Sequence, residues 1–473
     1  MKIDVSQVNH VHLIAICGTG MGSLAGMLQT QGLRVTGSDQ NVYPPMSEQL
    51  AALGIDVMQG YRPEHLEPAP DLVVIGNAIS KGNPEGDAAI ARGIPYVSMT
   101  EALRLFFFHD RTTVAMCGTH GKTTSTALLA WLLTEAGRDP TYLVGGVMEN
   151  TDSSYRVGSG DLAVVEGDEY DTAWFDKVPK FIRYRPDIAA VGNIEFDHAD
   201  IYPDFDAVKS AFQQLIEQLP ADGLLIAGVD CPNVRAMISL SASSVITYGL
   251  TQPADYSANL LAITENQMSF ALNVEERTRR QFDCGLVGRH NLLNILGVIA
   301  VADRLGLNDD EIASGLASFK GIRRRQQELG EAGGILVIDD FAHHPTAVRV
   351  TLDSLKARRP NRRLVAVFEP RTNTSRRSFF QKQYAQSFGA ADAVIVCEVM
   401  PKGGKMPEDK LDVALLVDKL VAGGILAWHA SDYDATLTQV LDHIRQGDQV
   451  VFLSNGSFGN LPRRLFQSLR EEA

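Results

Sequence analysis

The sequence lacks the features that mark several classes of protein. Its 473 residues include only five cysteines, odd in number and far apart, so neither a disulfide framework nor a zinc site is indicated. No apolar run approaches the roughly 20 residues that span a bilayer. The apolar stretch at residues 11–17 has no basic region before it and no small-residue cleavage site after it. We therefore expect no signal peptide, no membrane insertion and a reducing, cytoplasmic compartment.

An excess of positive charge is also absent. Lys and Arg number 43 against 57 Asp and Glu, for a net charge of −14, whereas nucleic-acid binders need positive charge to neutralise phosphates. The chain has no internal repeat and no low-complexity tract. Its 45% hydrophobic and 21% charged residues are typical of globular proteins, and its length predicts about three domains. We expect small-molecule chemistry and no nucleic-acid partner.

Short apolar runs alternate with helical patterns along the whole chain, which is typical of α/β proteins with parallel sheets. The predicted strands are residues 11–17, 72–75, 113–117, 162–165, 188–191, 224–227, 335–338, 364–368, 393–397 and 450–453. The pattern restarts near Arg111 and Arg323, which predicts domains at 1–111, 112–322 and 323–473. Their net charges are −4, −13 and +3. An acidic centre suits cations held near phosphates and a basic end suits an anionic ligand, although solvated surface charge explains both equally well.

The strongest motif is a glycine-bounded turn between a strand and an apolar helix. It consists of Gly118, Thr119, His120, Gly121, Lys122, Thr123 and Thr124. Such a turn directs backbone N–H groups and a helix N-terminus at a phosphate chain. We expect Lys122 to reach the terminal phosphates and the Thr123 hydroxyl to reach Mg²⁺. The strict P-loop pattern has a further glycine where this chain has Met116.

Polar residues follow two later strands of the same predicted sheet. Glu166 is the first polar residue after strand 162–165, and we expect it to be the magnesium ligand. Three acids beyond it fit a solvated loop better: Asp168, Glu169 and Asp171. His198 follows strand 188–191, and a metal-binding role and a structural role are equally supported there.

A second glycine-rich turn ends the first predicted strand. The pattern Gly20-x-Gly22-x-x-Ala25, with Asp39 closing the next strand, is typical of dinucleotide-binding proteins. Taken alone it suggests NAD. The same backbone arrangement serves any ligand with a diphosphate, including a nucleotide sugar.

Two further segments present polar side chains next to regular elements. His290 and Asn291 open an apolar helix, where capping by Asn291 is the simpler explanation. Residues 323–325 are three arginines, and residues 339–344 follow a predicted strand. Adjacent arginines are usually solvated, but their position at a predicted domain junction would allow contact with phosphate.

Taken in order, these motifs resemble those of the Mur ligases, the ATP-dependent amide-forming enzymes of peptidoglycan assembly. The resemblance implies a Rossmann-like N-terminal domain, a central P-loop ATPase domain with a mostly parallel sheet, and a C-terminal Rossmann-like α/β domain. It also explains Met116 as part of a variant P-loop, and it implies that Thr123, Glu166 and His198 bind magnesium.

The resemblance also implies which residues contact the nucleotides. The implied ATP contacts beyond the 118–124 turn are His290, Asn291, Arg324, Arg325, Asp339, Asp340 and His343. The implied contacts to a UDP-muramyl substrate in the first domain are Gly18, Thr19, Gly20, Met21, Gly22, Ser38, Asp39, Asn77 and Asn193. The implied cofactors are thus ATP and Mg²⁺.

Two activities of the family fit such a first domain. One adds L-alanine to UDP-N-acetylmuramate, and the other adds intact L-Ala-γ-D-Glu-meso-diaminopimelate to it in peptidoglycan recycling. The segments similar to the second group are 38–47, 76–78, 169–171, 196–198, 369–374 and 454–459. We therefore expect the tripeptide ligase, with the alanine ligase as the alternative. Either activity contributes to cell-wall biogenesis and, through it, to cell shape and division.

The implied reaction passes through an acyl phosphate on the muramyl carboxylate, which the peptide amine then attacks, leaving ADP and phosphate. The implied catalytic residues are Lys122, His120 and His198. The general base is open between His198, His343 and a nearby carboxylate.

The last domain is expected to bind the peptide. Arg371 follows strand 364–368 and would grip a carboxylate in a bidentate fork, with Asn373 beside it. A plain surface arginine is the alternative. Two other function classes explain less of the sequence: a P-loop switch ATPase leaves the N-terminal glycine turn unused, and an NAD-dependent oxidoreductase leaves the P-loop unused. The oligomeric state is open.

Overall fold

The computed structural model describes residues 3–42, 46–199, 201–401 and 406–471. Residues 43–45, which belong to the segment 38–47 discussed above, lie outside this description. Over the described residues, no helix combines the length and the apolar character needed to cross a bilayer. The chain forms two compact units. The first comprises Met1–Glu195, Phe205–Ser257 and Ile295–Gly315, and the second comprises Phe196–Asp204, Ala258–Asn294 and Leu316–Ala473.

The first 111 residues build a five-stranded parallel sheet with the order β3-β2-β1-β4-β5. Its elements are β1 (His10–Ile14), α1 (Thr19–Thr30), β2 (Arg34–Asp39), α2 (Met46–Ala52), β3 (Val57–Gln59), β4 (Leu72–Ile75), α3 (Pro84–Ala91), β5 (Tyr96–Ser98) and α4 (Met99–Leu103). Strand β1 ends at Ile14, three residues before the predicted end, because the chain turns at Ala15, whose φ is +68°.

The central region contains the glycine-bounded turn. Its elements are β6 (Thr112–Cys117), α5 (Lys122–Glu135), β7 (Thr141–Met148), β8 (Ser153–Arg156), β9 (Leu162–Gly167), β10 (Asp171–Ala173), β11 (Asp176–Pro179), α6 (Lys180–Tyr184), β12 (Ile188–Val191), α7 (Phe205–Gln218), β13 (Leu224–Gly228), α8 (Pro232–Arg235), β14 (Ser244–Tyr248), β15 (Tyr256–Ile263), β16 (Met268–Val274), β17 (Arg277–Cys284), α9 (Arg289–Arg304) and α10 (Asp309–Ser318).

Strand β6 lies between β9 and β12 in the sheet of the first unit, whose order there is β14-β13-β12-β6-β9-β7-β8. Both neighbours pair with β6 in parallel. The carboxyl ends of the three strands therefore meet at one edge of the sheet, where ligands of open α/β sheets bind. Antiparallel pairs β7–β8, β10–β11 and β16–β17 accompany the parallel strands.

The C-terminal region builds a six-stranded sheet with the order β18-β19-β23-β20-β21-β22, in which only β18 is antiparallel. Its elements are β18 (Gln327–Ala332), β19 (Ile335–Asp340), α11 (Pro345–Arg358), β20 (Leu364–Phe368), α12 (Gln381–Ser387), β21 (Ala393–Cys397), α13 (Val413–Ala422), β22 (Leu426–Ala430), α14 (Tyr433–His443), β23 (Gln449–Leu453) and α15 (Leu461–Glu471).

Each face of this last sheet packs into its own apolar core. Along β19, Leu336 and Ile338 enter one core, whereas Ile335 and Val337 enter the other. Strands buried on both faces read as continuous apolar runs, which is why the sequence predicted them well. The predicted α/β class with mostly parallel sheets is confirmed.

Candidate active site

The glycine-bounded turn joins β6 to α5. Gly118 has φ +134° and Gly121 has φ +86°, conformations that side-chain-bearing residues rarely adopt. A Cβ at Gly118 would also lie 3.0 Å from the Asn193 carbonyl oxygen. The two glycines therefore let the chain turn sharply and start α5 at Lys122, with the N-terminus of the helix directed at the turn.

The Lys122 ammonium lies within this turn. Its Nζ donates to the Gly118 carbonyl at 2.8 Å and to Glu169 Oε2 at 2.8 Å, with Asp168 at 3.9 Å. Burial by itself lowers the pKa of Lys122, but the Glu169 and Asp168 carboxylates outweigh burial and raise it. The lysine is therefore a fixed positive charge at neutral pH.

The prediction that Asp168 and Glu169 belong to a solvated loop is wrong. Asp168 is 8% exposed and Glu169 is 2% exposed. Strand β9 continues to Gly167, so both acids directly follow a buried strand. Asp168 is 3.2 Å from the buried Lys180 ammonium. Burial by itself raises the pKa of Asp168, but the Lys180 and Lys122 ammonium groups hold it below its usual range. Both acids therefore lie close to the Lys122 ammonium.

Thr123 and Glu166 come together at the start of α5 and the end of β9. The Thr123 hydroxyl donates to Glu166 Oε2 at 3.1 Å, and the Gly145 N–H donates to Glu166 Oε1. A hydroxyl and a carboxylate are the hard oxygen donors that Mg²⁺ prefers. The two residues present therefore fit a magnesium ion.

Asn193, at the end of β12, braces the turn. Its Oδ1 accepts from the His120 N–H at 2.8 Å, its Nδ2 donates to the His120 carbonyl at 3.0 Å, and its own carbonyl accepts from the Thr119 N–H at 3.0 Å. The His120 imidazole Nε2 lies 3.4 Å from Glu195. The predicted contact of Asn193 with the UDP substrate stays a prediction; its amide bonds to the P-loop.

His198 belongs to the second unit. Its φ is +56°, and its N–H donates to the Asp197 carboxylate at 2.7 Å. Burial by itself raises the pKa of Asp197, but nearby His198, His343 and His344 hold it well below its usual range. The magnesium-binding and catalytic roles of His198 stay predictions.

The second glycine motif lies at the start of α1 rather than in a turn: Gly18 precedes the helix, and Gly20, Met21 and Gly22 belong to its first turn, where Met21 and Gly22 are buried. Thr19 is exposed and Gly20 is half-buried. A side chain at Gly20 would meet the Met99 sulfur, which lies 2.9 Å from the Cβ position. The pattern thus also has a packing function.

Asp39 is buried, and both of its carboxylate oxygens accept backbone bonds. Oδ2 accepts from the Cys17 N–H at 2.9 Å and Oδ1 from the Asn41 N–H at 2.8 Å. Asp39 therefore joins the glycine turn to the end of β2. Asn77 is exposed after β4.

Ser38 is fully buried, and its hydroxyl donates to Glu85 at 2.9 Å. Glu85 also lies 2.6 Å from His12 Nε2 and 3.3 Å from His65 Nδ1, and accepts from the Arg62 N–H at 3.2 Å. A buried carboxylate needs such partners. This cluster fixes the end of β2, and nothing in the spacing of these residues indicated it.

In the second unit, His290 and Asn291 lie in the first turn of α9, which begins at Arg289, so the expectation that Asn291 caps the helix is wrong. Burial lowers the pKa of His290 to about 4, so its imidazole is neutral at pH 7. The Asn291 amide is buried and donates to the Val287 carbonyl at 2.9 Å, a local bond that holds the start of the helix. Their contacts with ATP stay predictions.

Arg324 and Asp339 pair at 3.3 Å, and burial raises the pKa of Asp339 and of Asp340. Asp340 is buried and accepts from the Gln326 and Ala342 N–H groups at 2.7 Å and 2.8 Å. It therefore holds the chain after β19.

Aromatic contacts surround the same segment. The Arg325 guanidinium lies 4.6 Å from the centre of the Phe341 ring. The His343 Nδ1 is 3.0 Å from the Phe341 carbonyl, and the His343 carbonyl accepts from the Tyr384 hydroxyl at 2.6 Å. The structure thus brings Arg324, Arg325 and residues 339–343 together within the second unit.

Arg371 follows β20 as predicted, and its side chain is 42% exposed. Its Nη1 lies 3.2 Å from Glu369 Oε1 and 3.0 Å from the Tyr433 hydroxyl. Asn373 is exposed. Glu369 belongs to the segment 369–374 named from the sequence, but no role at the site was predicted for it, and Tyr433 was not predicted at all. The signal for Glu369 was its place directly after a buried strand, whereas Tyr433 carried none.

Three family models match the chain in order. "Mur ligase family, catalytic domain" matches residues 10–110, "Mur ligase middle domain" matches residues 116–302, and "Mur ligase, glutamate ligase domain" matches residues 324–456.

Individual proteins match from end to end. The UDP-N-acetylmuramate–L-alanyl-γ-D-glutamyl-meso-2,6-diaminoheptandioate ligase of Escherichia coli (strain K12) is 37% identical over 98% of this chain and 99% of its own length. The UDP-N-acetylmuramate–L-alanine ligase of Methylobacillus flagellatus is 35% identical over 97% of this chain and 96% of its own. The crystal structure of a murein peptide ligase from Psychrobacter arcticus 273-4 matches with a TM-score of 0.73 and 34% identity, over 98% of both chains.

These matches confirm the resemblance that the motifs indicated and the three-domain α/β fold that it implied. The domain boundaries at 111/112 and 322/323 and the roles of the individual site residues stay predictions. The chain belongs to the Mur ligase family.

Proposed function

We propose that the protein is an ATP-dependent ligase that joins L-Ala-γ-D-Glu-meso-diaminopimelate to UDP-N-acetylmuramate, releasing ADP and phosphate. The new amide links the lactyl carboxylate of the muramyl group to the α-amine of the peptide. Reuse of an intact tripeptide is peptidoglycan recycling, and we place it in the cytoplasm.

The observation that carries the choice of peptide is the end-to-end similarity to the Escherichia coli ligase, whose name specifies this tripeptide. The chemistry of the last region supports it. Residues 323–473 hold 21 Lys and Arg against 18 Asp and Glu, and Arg371 presents a half-exposed guanidinium. A planar guanidinium suits the carboxylates that the tripeptide carries.

A carboxylate and an amine do not condense unaided in water, so the carboxylate is first activated by phosphoryl transfer from ATP. We assign the terminal phosphates to the permanently charged Lys122 and to the N–H groups of the 118–124 turn. Thr123 and Glu166 would hold Mg²⁺, with His198 as a further ligand. The bound ion would neutralise charge on the phosphates.

The amine must lose a proton before it attacks the activated carboxylate, and His198 or His343 would accept it. His120 would stabilise the tetrahedral anion that forms. The remaining assignments follow the domains: residues 1–111 bind the UDP substrate, 112–322 bind ATP, and 323–473 contribute to ATP binding and bind the peptide.

The second candidate is a UDP-N-acetylmuramate:L-alanine ligase. It is favoured by the 35% identity to the Methylobacillus flagellatus enzyme, which also extends over nearly the whole chain.

Phosphate release with substrates omitted one at a time tests the proposal. With ATP and Mg²⁺, we expect turnover only when UDP-N-acetylmuramate and the tripeptide are both present, and none with Lys122→Ala, which lacks the charge that holds the phosphates. Turnover with L-alanine in place of the tripeptide would establish the second candidate. Phosphate release without either substrate would contradict both and indicate a P-loop switch ATPase.

A further inference from the structure

A buried acid lies next to the arginine that we assign to the peptide. Glu369 directly follows β20, and its N–H donates to the Leu453 carbonyl at the end of β23 at 3.0 Å. Its side chain is 1% exposed. A charged carboxylate at this depth is costly unless hydrogen-bond donors surround it, so its partners define what the group does.

Both oxygens of Glu369 have donors. Oε1 accepts from the Tyr433 hydroxyl at 2.5 Å and faces Arg371 Nη1 at 3.2 Å, and Oε2 accepts from the Ser454 hydroxyl. Burial and the Glu369 carboxylate raise the pKa of Tyr433, so the phenol keeps its proton and remains a donor. The Tyr433 oxygen in turn accepts from Arg371 at 3.0 Å.

Packing leaves Arg371 little freedom on this side. A Cβ at Gly456 would overlap the Arg371 guanidinium, so the arginine lies directly against the backbone of the 454–456 loop. Tyr433 is held by an edge-to-face contact with Phe458, with ring centres 5.8 Å apart.

The 454–456 loop is fixed from its other side as well. Arg324 Nη2 donates to the Ser454 carbonyl at 2.7 Å and to the Gly456 carbonyl at 2.5 Å. The Gly456 N–H donates to the Ser454 hydroxyl oxygen at 2.9 Å. The surface on which Arg371 lies is thus rigid, and the guanidinium is oriented before any ligand arrives.

We propose that Glu369 and Tyr433 are positioning residues that hold Arg371 ready for a carboxylate of the peptide substrate. The inference rests on the proposed function, since it extends the assignment of Arg371. Tyr433 shares Glu369 Oε1 with Arg371 and so weakens the pull of that buried acid on the guanidinium. Without the phenol, Glu369 draws Arg371 closer and competes with the substrate carboxylate for the guanidinium, because a buried carboxylate with one donor fewer binds its remaining partner more strongly.

Tyr433→Phe is the variant that tests this, since the ring and its contact with Phe458 are retained. We expect the KM for the tripeptide to rise about tenfold, the effect of losing one hydrogen bond to a charged group. The KM values for ATP and UDP-N-acetylmuramate and the melting temperature should stay near those of the wild type. Asp434→Asn is the matched control. Asp434 is the next residue along the chain, and the substitution removes its exposed ion pair with Arg464.

A double-mutant cycle shows whether the effect passes through Arg371. In an Arg371→Ala background, Tyr433→Phe should change the tripeptide KM no further, because there is no guanidinium left to position. An unchanged tripeptide KM in Tyr433→Phe, an equal rise in all three KM values, or additive effects in the cycle would overturn the inference.

A wrong substrate assignment can be distinguished from a failure of the positioning role. If the wild type uses L-alanine and not the tripeptide, the proposed substrate is wrong, and the same cycle is measured with L-alanine. A rise in its KM that disappears in the Arg371→Ala background would support the positioning role, and an unchanged KM would overturn it.

Discussion

Two glutamates three residues apart at the end of β9 have different partners. Glu166 accepts from the Thr123 hydroxyl, whereas Glu169 binds the Lys122 ammonium. The first was predictable, because it is the first polar residue after an apolar strand. The second was not, because it lies in the acidic segment after the strand, where no local feature distinguishes a residue that binds Lys122 from a solvated one. Buried ion pairs between distant segments leave no local trace in a sequence.

His290 makes stability depend on pH in a predictable direction. Burial lowers its pKa from 6.5 to about 4. Below pH 6.5 the unfolded chain takes up a proton that the folded chain does not accept until near pH 4, so the free energy of unfolding falls as the pH drops through this window. We expect His290 to contribute about 1–3 kcal/mol of that loss.

Urea unfolding of His290→Gln between pH 4 and pH 7 measures this contribution. The variant should lose less stability on acidification than the wild type, since it has no imidazole to protonate. His109→Gln is the control, because that histidine is exposed at the end of the α4 region. Identical pH dependence in wild type and His290→Gln would show that the imidazole is not kept neutral by the fold.

At the scale of elements, the apolar strands were predictable and the hairpins were not. The predicted bounds of β4, β12, β20 and β21 coincide with the observed ones, because strands buried on both faces are continuous apolar runs. The β15–β17 region was missed. β17 carries Arg277, Arg279, Arg280 and Asp283 and shows no apolar run, whereas the apolar run of β15, residues 260–263, includes the exposed Leu260 and Leu261.

The end of β12 supports the P-loop through Asn193, and this predicts a specific kinetic effect. Asn193→Ala removes two hydrogen bonds to the His120 backbone, so the turn loses part of its fixed shape. We expect the KM for ATP to rise about tenfold, as for one or two lost hydrogen bonds. The KM for UDP-N-acetylmuramate should change less than twofold.

Steady-state kinetics with each substrate varied in turn decide between the two roles of Asn193. Asn233→Ala is a suitable control, because its amide donates to the Ile194 carbonyl beside the same strand end without touching the turn. A rise confined to the KM for UDP-N-acetylmuramate would contradict the bracing role and support direct contact with that substrate.

At the scale of the whole molecule, the order of motifs carried more information than any single one. The glycine turn before α1 suggested NAD when taken alone, and only its combination with the 118–124 turn and the C-terminal motifs indicated a ligase. Local patterns indicated at which strand ends polar residues collect. They did not reveal the supporting groups, Glu85, Glu169 and Glu369, since each is defined by partners from several segments of the folded chain.

A competition experiment identifies the amine that the enzyme uses. The wild type is incubated with ATP, Mg²⁺, UDP-N-acetylmuramate and equal concentrations of L-alanine and L-Ala-γ-D-Glu-meso-diaminopimelate, and the UDP-linked product is identified by mass spectrometry. We expect the mass of the UDP-N-acetylmuramyl tripeptide, with one ADP formed for each product molecule. A product carrying a single alanine would contradict the proposed substrate and assign the protein to the first amino-acid addition of the biosynthetic route.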